Sequence, residues 1–552
     1  MAYSVGRIYK IACFFFVIGS LLIARLFYLQ VLESPKLAIE GLSGRVEEVP
    51  VGVSRGNIYD RNGIPLTNTA QSFYLTVFPG QIKDKKQTVD QLVNLLGLDK
   101  QVISQQLMEE WRPFKINTAL TEAEAQQINQ MHMPGVLAIA EKNRYGHSSL
   151  AVHVTGYVNA ADNRGVSGIE SMYDELLAGD QTEHVAALVD AGQRLIPGLG
   201  YTRLKLGSNT EPSNVVLTLD SRIQKVVETV MDRYGIKGAI VILQPYTGEI
   251  LAMASRPNFD PEHIESYLNL NTAPFLNRAL SAYQPGSVFK LVVAAAALEN
   301  HIVQPEDVFF DPGYVTVNDL RFYGWDYERG ERGYITFTDA MAYSSNPTFI
   351  TVGLKLGAEK LISFAHKLGF GSKTSLSFDE EAAGNLPVSD NIYPGELANL
   401  AIGQGSFEAT PLQFAALVAT IVNDGIKVNP YIVGKLTNVD GKVIKTFSPN
   451  QGVRVFSSNT AQAMRRMMTA VTRYGTGEAA DIPDFGSAGK TGSAETGRMQ
   501  KGKSVNHAWF AGYTPLERPQ YAAVIFVEEG RSGGDVAAPL FHEIFTQILK
   551  KS

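Results

Sequence analysis

The stretch GAIVILQPYTGEILAMAS, Gly238 to Ser255, holds two apolar segments joined by PYTG, Pro245 to Gly248. Two such segments around a Pro- and Gly-bearing turn predict a β-hairpin. The far end of the chain supplies three more strand-like segments, SAGKTGSAE (Ser487 to Glu495), HAWFAGY (His507 to Tyr513) and YAAVIFVEE (Tyr521 to Glu529), followed by an amphipathic helix from Pro539 to Lys550. The residues between the two groups read mostly as helix. Two strands early and three late predict an α+β domain: one antiparallel five-stranded sheet assembled from both ends, with the middle folded as a helical subdomain.

Outward from the hairpin, VVLTLD at Val215 and a helical run from Ser221 open this domain, which spans 211–552. Residues 33–210 mix strand-like pieces (Phe73 to Val77, Val185 to Val189) with helical ones (Val89 to Leu96, Glu122 to Met131), hold no obvious catalytic cluster, and are expected to form one elongated non-catalytic region. Ile11 to Ala24 is an unbroken apolar run that with its continuation reaches the about 20 residues a bilayer span requires. The expected transmembrane helix covers 11–32 and leaves 1–10 as a cytoplasmic tail. Arg7 and Lys10 precede the run, whereas Glu33, Glu40, Glu47 and Glu48 dilute the basic residues after it, so everything beyond the span is expected outside the cytoplasm. Arg25 lies near enough to the end of the span to snorkel. No small-x-small pair follows the apolar core, which favours a retained signal-anchor over a cleaved peptide. LVVAAAAL, Leu291 to Leu298, is too short to span and predicts a buried core helix.

Composition excludes several classes. The 552 residues are 45% hydrophobic, and Gly plus Pro make about 14% of the chain, well below the proportion typical of disorder. A net charge of −6 gives no basic balance for binding a phosphate backbone, so nucleic acid is not an expected partner. The single cysteine, Cys13, rules out an internal disulfide framework and a Cys-rich zinc site.

Ser287-Val288-Phe289-Lys290 opens the Ala-rich run directly after Pro285-Gly286, and i,i+3 spacing sets a hydroxyl and an amine on one helical face. A serine needs a proton acceptor to become a nucleophile, and a lysine serves once desolvation or a neighbouring cation lowers its pKa. Ser487 and Lys490 share the same spacing, so this pattern alone does not choose. Lys490-Thr491-Gly492-Ser493 lies on a predicted strand, where the lysine would add positive potential and Gly492 would let a substrate backbone approach closely. Ser344-Ser345-Asn346 follows the helical stretch ITFTDAMAY, but Ser-x-Asn recurs elsewhere, including Ser389/Asn391, and each copy alone reads as a turn or cap. None of the nine histidines sits in a metal-ligand doublet. In RGNIYDRNG (Arg55 to Gly63), Arg55, Asp60 and Arg61 fit a turn-stabilising ion pair as well as a partner contact.

In chain order, the elements carrying Ser287, Ser344 and Lys490 resemble the penicillin-recognising serine transpeptidases. The surrounding sequence resembles a class B penicillin-binding protein over nearly its whole length: YQPGSVFK at Tyr283, AIGQG at Ala401, TPLQ at Thr410, GTGEAA at Gly475, HAWFAGY at His507, AAPLF at Ala537, and in the first half RGNIYDRNG and GVSGIE (Gly165 to Glu170). The resemblance implies a transpeptidase fold preceded by a pedestal or dimerisation-like domain. It also implies roles. Ser287 would attack the penultimate D-alanine carbonyl of a peptidoglycan stem peptide, Lys290 would take its proton, and Ser344 would relay a proton to the leaving amine. Asn346 would hold Lys290 and the peptide amide, Lys490 would complete the cationic side, and Thr491 and Ser493 would bind the terminal carboxylate. The oxyanion would sit between the N–H groups of Ser287 and Ser493. No cofactor or metal is implied. β-Lactams would acylate the same serine, and a partner glycan polymerase and other wall-synthesis proteins are expected at the membrane. Two other functions compete: a D,D-carboxypeptidase or β-lactamase-like hydrolase on the same site, for which Glu396 in PGELAN is the one candidate deacylating carboxylate, and a non-catalytic scaffold of the wall machinery.

Overall fold

The computed structural model describes residues 5–33, 46–146, 149–159, 161–190, 195–196, 200–206, 211–374, 376–449, 451–500 and 503–550. The first four residues of the expected tail, and the segment that includes Glu40, lie outside them. Helix α1, Val5–Phe27, continues through a wider turn at Tyr28–Leu32. Among the described residues it is the one helix long and apolar enough to cross a membrane, with a candidate span of Tyr9–Val31, and marks a single-pass membrane protein.

The described residues form two compact units. The first holds residues up to 54, 71–143 and 180–206. Its sheet Phe114–Leu120, Ala70–Val77, Val136–Asn143 packs with helices Lys85–Leu96, Lys100–Glu109 and Glu122–Gln130 around Leu75, Leu92, Leu107 and Ile128. A second sheet aligns Val46–Arg55, Ala178–Leu188 and Tyr201–Leu206.

The second unit holds 55–70, 144–179 and 211–550. Its centre is the five-stranded antiparallel sheet expected from the two ends: β1 Gly238–Leu243, β2 Ile250–Arg256, β3 Ala488–Gln500, β4 Lys503–Thr514 and β5 Tyr521–Val527, in the order β2-β1-β5-β4-β3. Strands β1, β2 and β5 are buried on both faces, which is why their sequences are unbroken apolar runs rather than alternating ones. Ile240 and Ile242 face a core shared with helices α2 (Ser221–Arg233) and α8 (Ala538–Leu549). Ala239, Val241 and Leu243 face the helical subdomain, built from α3 (Lys290–Glu299), α4 (Asn346–Leu356), α5 (Pro394–Ala401), α6 (Pro411–Val422) and α7 (Ser458–Tyr474). Helix α3 is buried from Lys290 through Leu298, and its Ala-rich, all-apolar circumference lets the surrounding helices approach closely.

The units do not follow a break at 210/211. Residues 55–70 and 144–179, expected in the 33–210 region, pack within the second unit. The reason is a buried charge network. Glu170 is fully buried and receives Arg55 Nε at 2.7 Å, Arg144 Nε at 2.6 Å and the Tyr145 hydroxyl at 3.1 Å. An acid taken out of water needs such compensation, so RGNIYDRNG and GVSGIE are tied to each other as a structural pair. Ile58 and Tyr59 extend a small sheet beside Val215 and Val216, and the Asp60 carboxylate accepts the Ser221 N–H (3.1 Å) and hydroxyl (2.8 Å) where α2 begins.

Candidate active site

Ser287 stands on a tight 3-10 turn, Gly286–Phe289, that feeds α3 at Lys290. The expected helix thus starts one turn later than the pattern suggested, and i,i+3 side chains eclipse on such a turn. Glycines permit the packing. A Cβ on Gly286 (φ +56°) would lie 2.7 Å from the Ser493 carbonyl oxygen, and one on Gly403 (φ +72°) would lie 2.0 Å from the Gly286 carbonyl oxygen. The turn is clamped from both sides: Gly286 N–H donates to Gly403 O at 3.0 Å in the IGQG loop, and the Trp509 indole donates to Gln284 O at 3.1 Å from β4.

Ser344 follows the short helix Phe337–Ala342, whose first turn is fixed by a Thr336/Asp339 capping box. Its φ of +60° is left-handed, a conformation that a non-glycine residue holds only under constraint. Ser345 caps α4 by accepting the Thr348 N–H at 3.2 Å and donates to Asp311 Oδ2 at 2.6 Å. Lys290 Nζ donates to Ser344 O (2.7 Å), Asn346 Oδ1 (2.7 Å) and Ser344 Oγ (3.2 Å). Lys490 Nζ reaches the same hydroxyl at 2.9 Å and its neighbour's carbonyl, Thr491 O, at 3.0 Å.

Both lysines are fully buried. Burial disfavours the ammonium form, and Lys290 is pushed well below its ordinary value, first by desolvation and then by the Lys490 charge, against the pull of Asp311 and Asp326. Desolvation lowers Lys490 to about 7. A neutral Lys290 has a lone pair for a proton while its two remaining N–H groups hold Ser344 O and Asn346 Oδ1. Ser344 Oγ, between the two amines, can pass a proton either way.

Ser287, Ser344, Asn346, Thr491 and Ser493 line one cavity of about 1010 Å³. Lys290 and Lys490 lie behind them. Gly492 has another role than expected: its missing Cβ faces Pro285 O at 2.7 Å and Val288 Cγ1 at 3.1 Å, so it admits the Ser287 turn onto β3 rather than a substrate backbone. Sequence reasoning assigned no role to several lining residues. The Thr476 hydroxyl meets that of Thr491 at 2.6 Å, and GTGEAA was its only signal. Gly533 N–H donates to Ser493 Oγ at 3.1 Å from the Ser532–Asp535 loop, and Tyr323, Trp325 and Arg329 form another wall. The decoys fall elsewhere. Ser487 Oγ is spent on Ala480 O at 2.8 Å, Ser389 bonds Asp390, and Glu396 caps α5 through the Tyr393 N–H at 3.3 Å, exposed and outside the cavity lining. Among the described residues no cluster of His, Cys, Asp and Glu is arranged to hold a metal ion.

Residues 238–546 match the family model of the penicillin binding protein transpeptidase domain, and 50–198 match that of the penicillin-binding protein dimerisation domain. The chain belongs to the penicillin-binding protein family. It is of class B, a serine D,D-transpeptidase. It is similar to stage V sporulation protein D of Bacillus subtilis, with 32% identity covering 95% of this chain and 82% of that protein. The peptidoglycan D,D-transpeptidase MrdA of Escherichia coli is 27% identical over 96% of this chain and 91% of its own. The crystal structure of penicillin binding protein 3 from Mycobacterium tuberculosis, complexed with aztreonam, superimposes with a TM-score of 0.65 at 26% identity, covering 92% of this chain and 97% of that one. In this penicillin-binding protein the all-buried strands and α3 form the scaffold of the transpeptidase domain, and the cavity lies where β3, the open edge of the sheet, meets the helical subdomain.

Proposed function

We propose that this transpeptidase cross-links peptidoglycan through an acyl-enzyme on Ser287. The Ser287 Oγ forms a bond to the penultimate D-alanine carbonyl of a stem peptide as its proton passes to neutral Lys290. The C–N bond to the terminal D-alanine then breaks, and the leaving amine takes a proton delivered through Ser344 Oγ. An amine of a second stem peptide attacks the ester, its proton leaves by the same relay, and Ser287 is restored. The observation that carries this reading is the Ser344 hydroxyl held between two buried lysines, at 3.2 Å and 2.9 Å, beside the Ser287 turn.

Supporting geometry surrounds it. Ser493 O faces Gly286, and in an antiparallel strand the N–H of a residue lies on the same edge as its carbonyl, so Ser493 N–H and Ser287 N–H suit an oxyanion. The hydroxyls of Thr491, Thr476 and Ser493 suit the terminal carboxylate, with Lys490 supplying charge from behind. Asn346 Nδ2 donates one N–H to Tyr323 O at 2.9 Å and keeps the other for a peptide carbonyl. Glu396 serves its helix, which favours transfer over hydrolysis by a β-lactamase route.

The charge asymmetry around α1 supports a catalytic unit outside the cytoplasm, where a membrane-bound glycan polymerase would deliver nascent strands to it. The test is a tagged penicillin given to the membrane-embedded protein, with the adduct mapped by mass spectrometry. The label is expected on Ser287 and lost in Ser287→Ala; a label that persists there overturns the reading. A tag on the N-terminus should resist protease added outside wall-stripped cells, and its digestion would reverse the topology.

A further inference from the structure

Two bonds from outside hold the left-handed Ser344 turn. The carbonyl of Tyr343, just before it, accepts the Trp325 indole N–H at 2.9 Å, and Asn346, just after it, donates to Tyr323 O at 2.9 Å. Both partners belong to one segment, the hairpin of strands Tyr314–Val317 and Leu320–Tyr323 with the turn that follows. Tyr343 lies where a short helix ends, so its carbonyl has no successor turn to satisfy it and depends on a donor from elsewhere. The hairpin is itself braced: Gly324 N–H bonds Gly313 O at 2.7 Å, Arg332 pairs with Asp326, and the Arg332 guanidinium lies 4.3 Å from the centre of the Tyr343 ring. Trp325 is nevertheless 54% exposed and lines the cavity, an unusual setting for a large aromatic ring whose one polar atom is tied to the backbone.

We propose that Trp325 is a positioning residue for the acylation relay: its indole N–H fixes the Tyr343 carbonyl and thereby holds the Ser344 hydroxyl between Lys290 and Lys490. The inference rests on the Ser287 acyl-enzyme reading above. Loss of this bond frees the turn to relax from its left-handed conformation and lets water reach Lys290. The groups acting on Lys290 are Lys490 on β3, Asp311 at the end of the strand before the hairpin, and Asp326 beside Trp325. Hydration raises the Lys290 pKa, because water relieves the burial that disfavours its ammonium form. A larger share of Lys290 is then protonated at neutral pH and unable to act as base.

The experiment compares the acylation rate with a tagged penicillin, as a function of pH, in the membrane-embedded wild type, Trp325→Phe and Trp325→His. Trp325→Phe keeps a ring but has no donor, and is expected to acylate about tenfold more slowly with its acidic limb moved to higher pH. Trp325→His restores an N–H and should recover part of both. In a Ser344→Ala background Trp325→Phe should have little further effect. An unchanged rate and limb in Trp325→Phe would overturn the proposal, as would equal loss in both variants with no limb shift, which would make the ring a substrate platform only. A full additional loss in Ser344→Ala would do the same. Thermal melting of each variant separates unfolding from loss of positioning. Failure of wild type to label at Ser287 would instead strike the acyl-enzyme reading.

Discussion

In the proposed mechanism Lys290 is the base on which acylation turns. Lys290→Arg keeps a cation but removes the base, because a guanidinium does not deprotonate in a protein. The acylation rate by a tagged penicillin is expected to fall roughly 100- to 10,000-fold, and a near-normal rate would remove Lys290 from the mechanism. Stability should carry the mark of the same burial. Lys490 falls to about 7 in the fold and is near its ordinary value when unfolded, so the unfolded chain binds more protons between those limits. The penalty of burying it is complete below about pH 7 and shrinks as pH rises toward the ordinary lysine range. Lys490→Met should therefore gain more in melting temperature at pH 6 than at pH 10; a gain independent of pH would contradict the assignment. Gly492 offers a steric test. In Gly492→Ala the new Cβ lies 2.7 Å from Pro285 O, against backbone that cannot yield without moving Ser287. The expected result is a loss of about 1–3 kcal/mol in denaturant melts together with slower acylation. Ser287-x-x-Lys290 and Lys490-Thr491-Gly492 were legible as chemistry through their chain order and their resemblance to the family's motifs, since spacing alone also admitted Ser487 and Lys490. The role of Gly492 was not, since a missing side chain reveals its purpose only through what fills the space.

At the level of elements, α5 and the IGQG loop behind it show how sequence proximity misleads. Glu396 and Asn399 are three residues apart on α5, yet Asn399 lines the cavity while Glu396 closes the helix start. With Glu396 held at the helix start and outside the cavity lining, the penicillin adduct should persist for many minutes, and Glu396→Gln should leave its decay unchanged in intact-protein mass spectrometry. Decay in seconds that the substitution abolishes would move the enzyme to the hydrolases. The sheet was the most legible element, because β1, β2 and β5 are covered on both faces and leave continuous apolar runs. The Tyr314–Arg329 segment was not legible: its strands are short and largely exposed, with no core periodicity to announce them, although two of its residues hold the Ser344 turn.

At the scale of the whole molecule, the catalytic unit is discontinuous in sequence. The buried Glu170 with Arg55 and Arg144, and the Asp60 contacts to Ser221, make residues 55–70 and 144–179 part of its structure. Removing one partner of a buried ion pair costs about 3–5 kcal/mol, and removing both segments takes away far more than one pair. A chain beginning at Glu211 is expected to show no cooperative melt and no penicillin labelling, whereas one beginning at Val46 should retain both. Labelling and a sharp melt in the shorter chain would show that the 211–552 boundary is a folding boundary after all.

The sequence by itself determined the anchor helix and the five strands with their antiparallel closure from both ends, and through its resemblance to the family it singled out the candidate residues of the site, because hydrophobic period, turn composition and motif order are properties of the chain alone. Only the tertiary structure decided that both lysines share one hydroxyl in a buried interior, and that early segments complete the catalytic unit. Those depend on burial and on contacts between residues far apart in the chain, such as Ser344 with Lys490, 146 positions away, and no local pattern encodes the solvent exclusion that tunes an amine to act as a base.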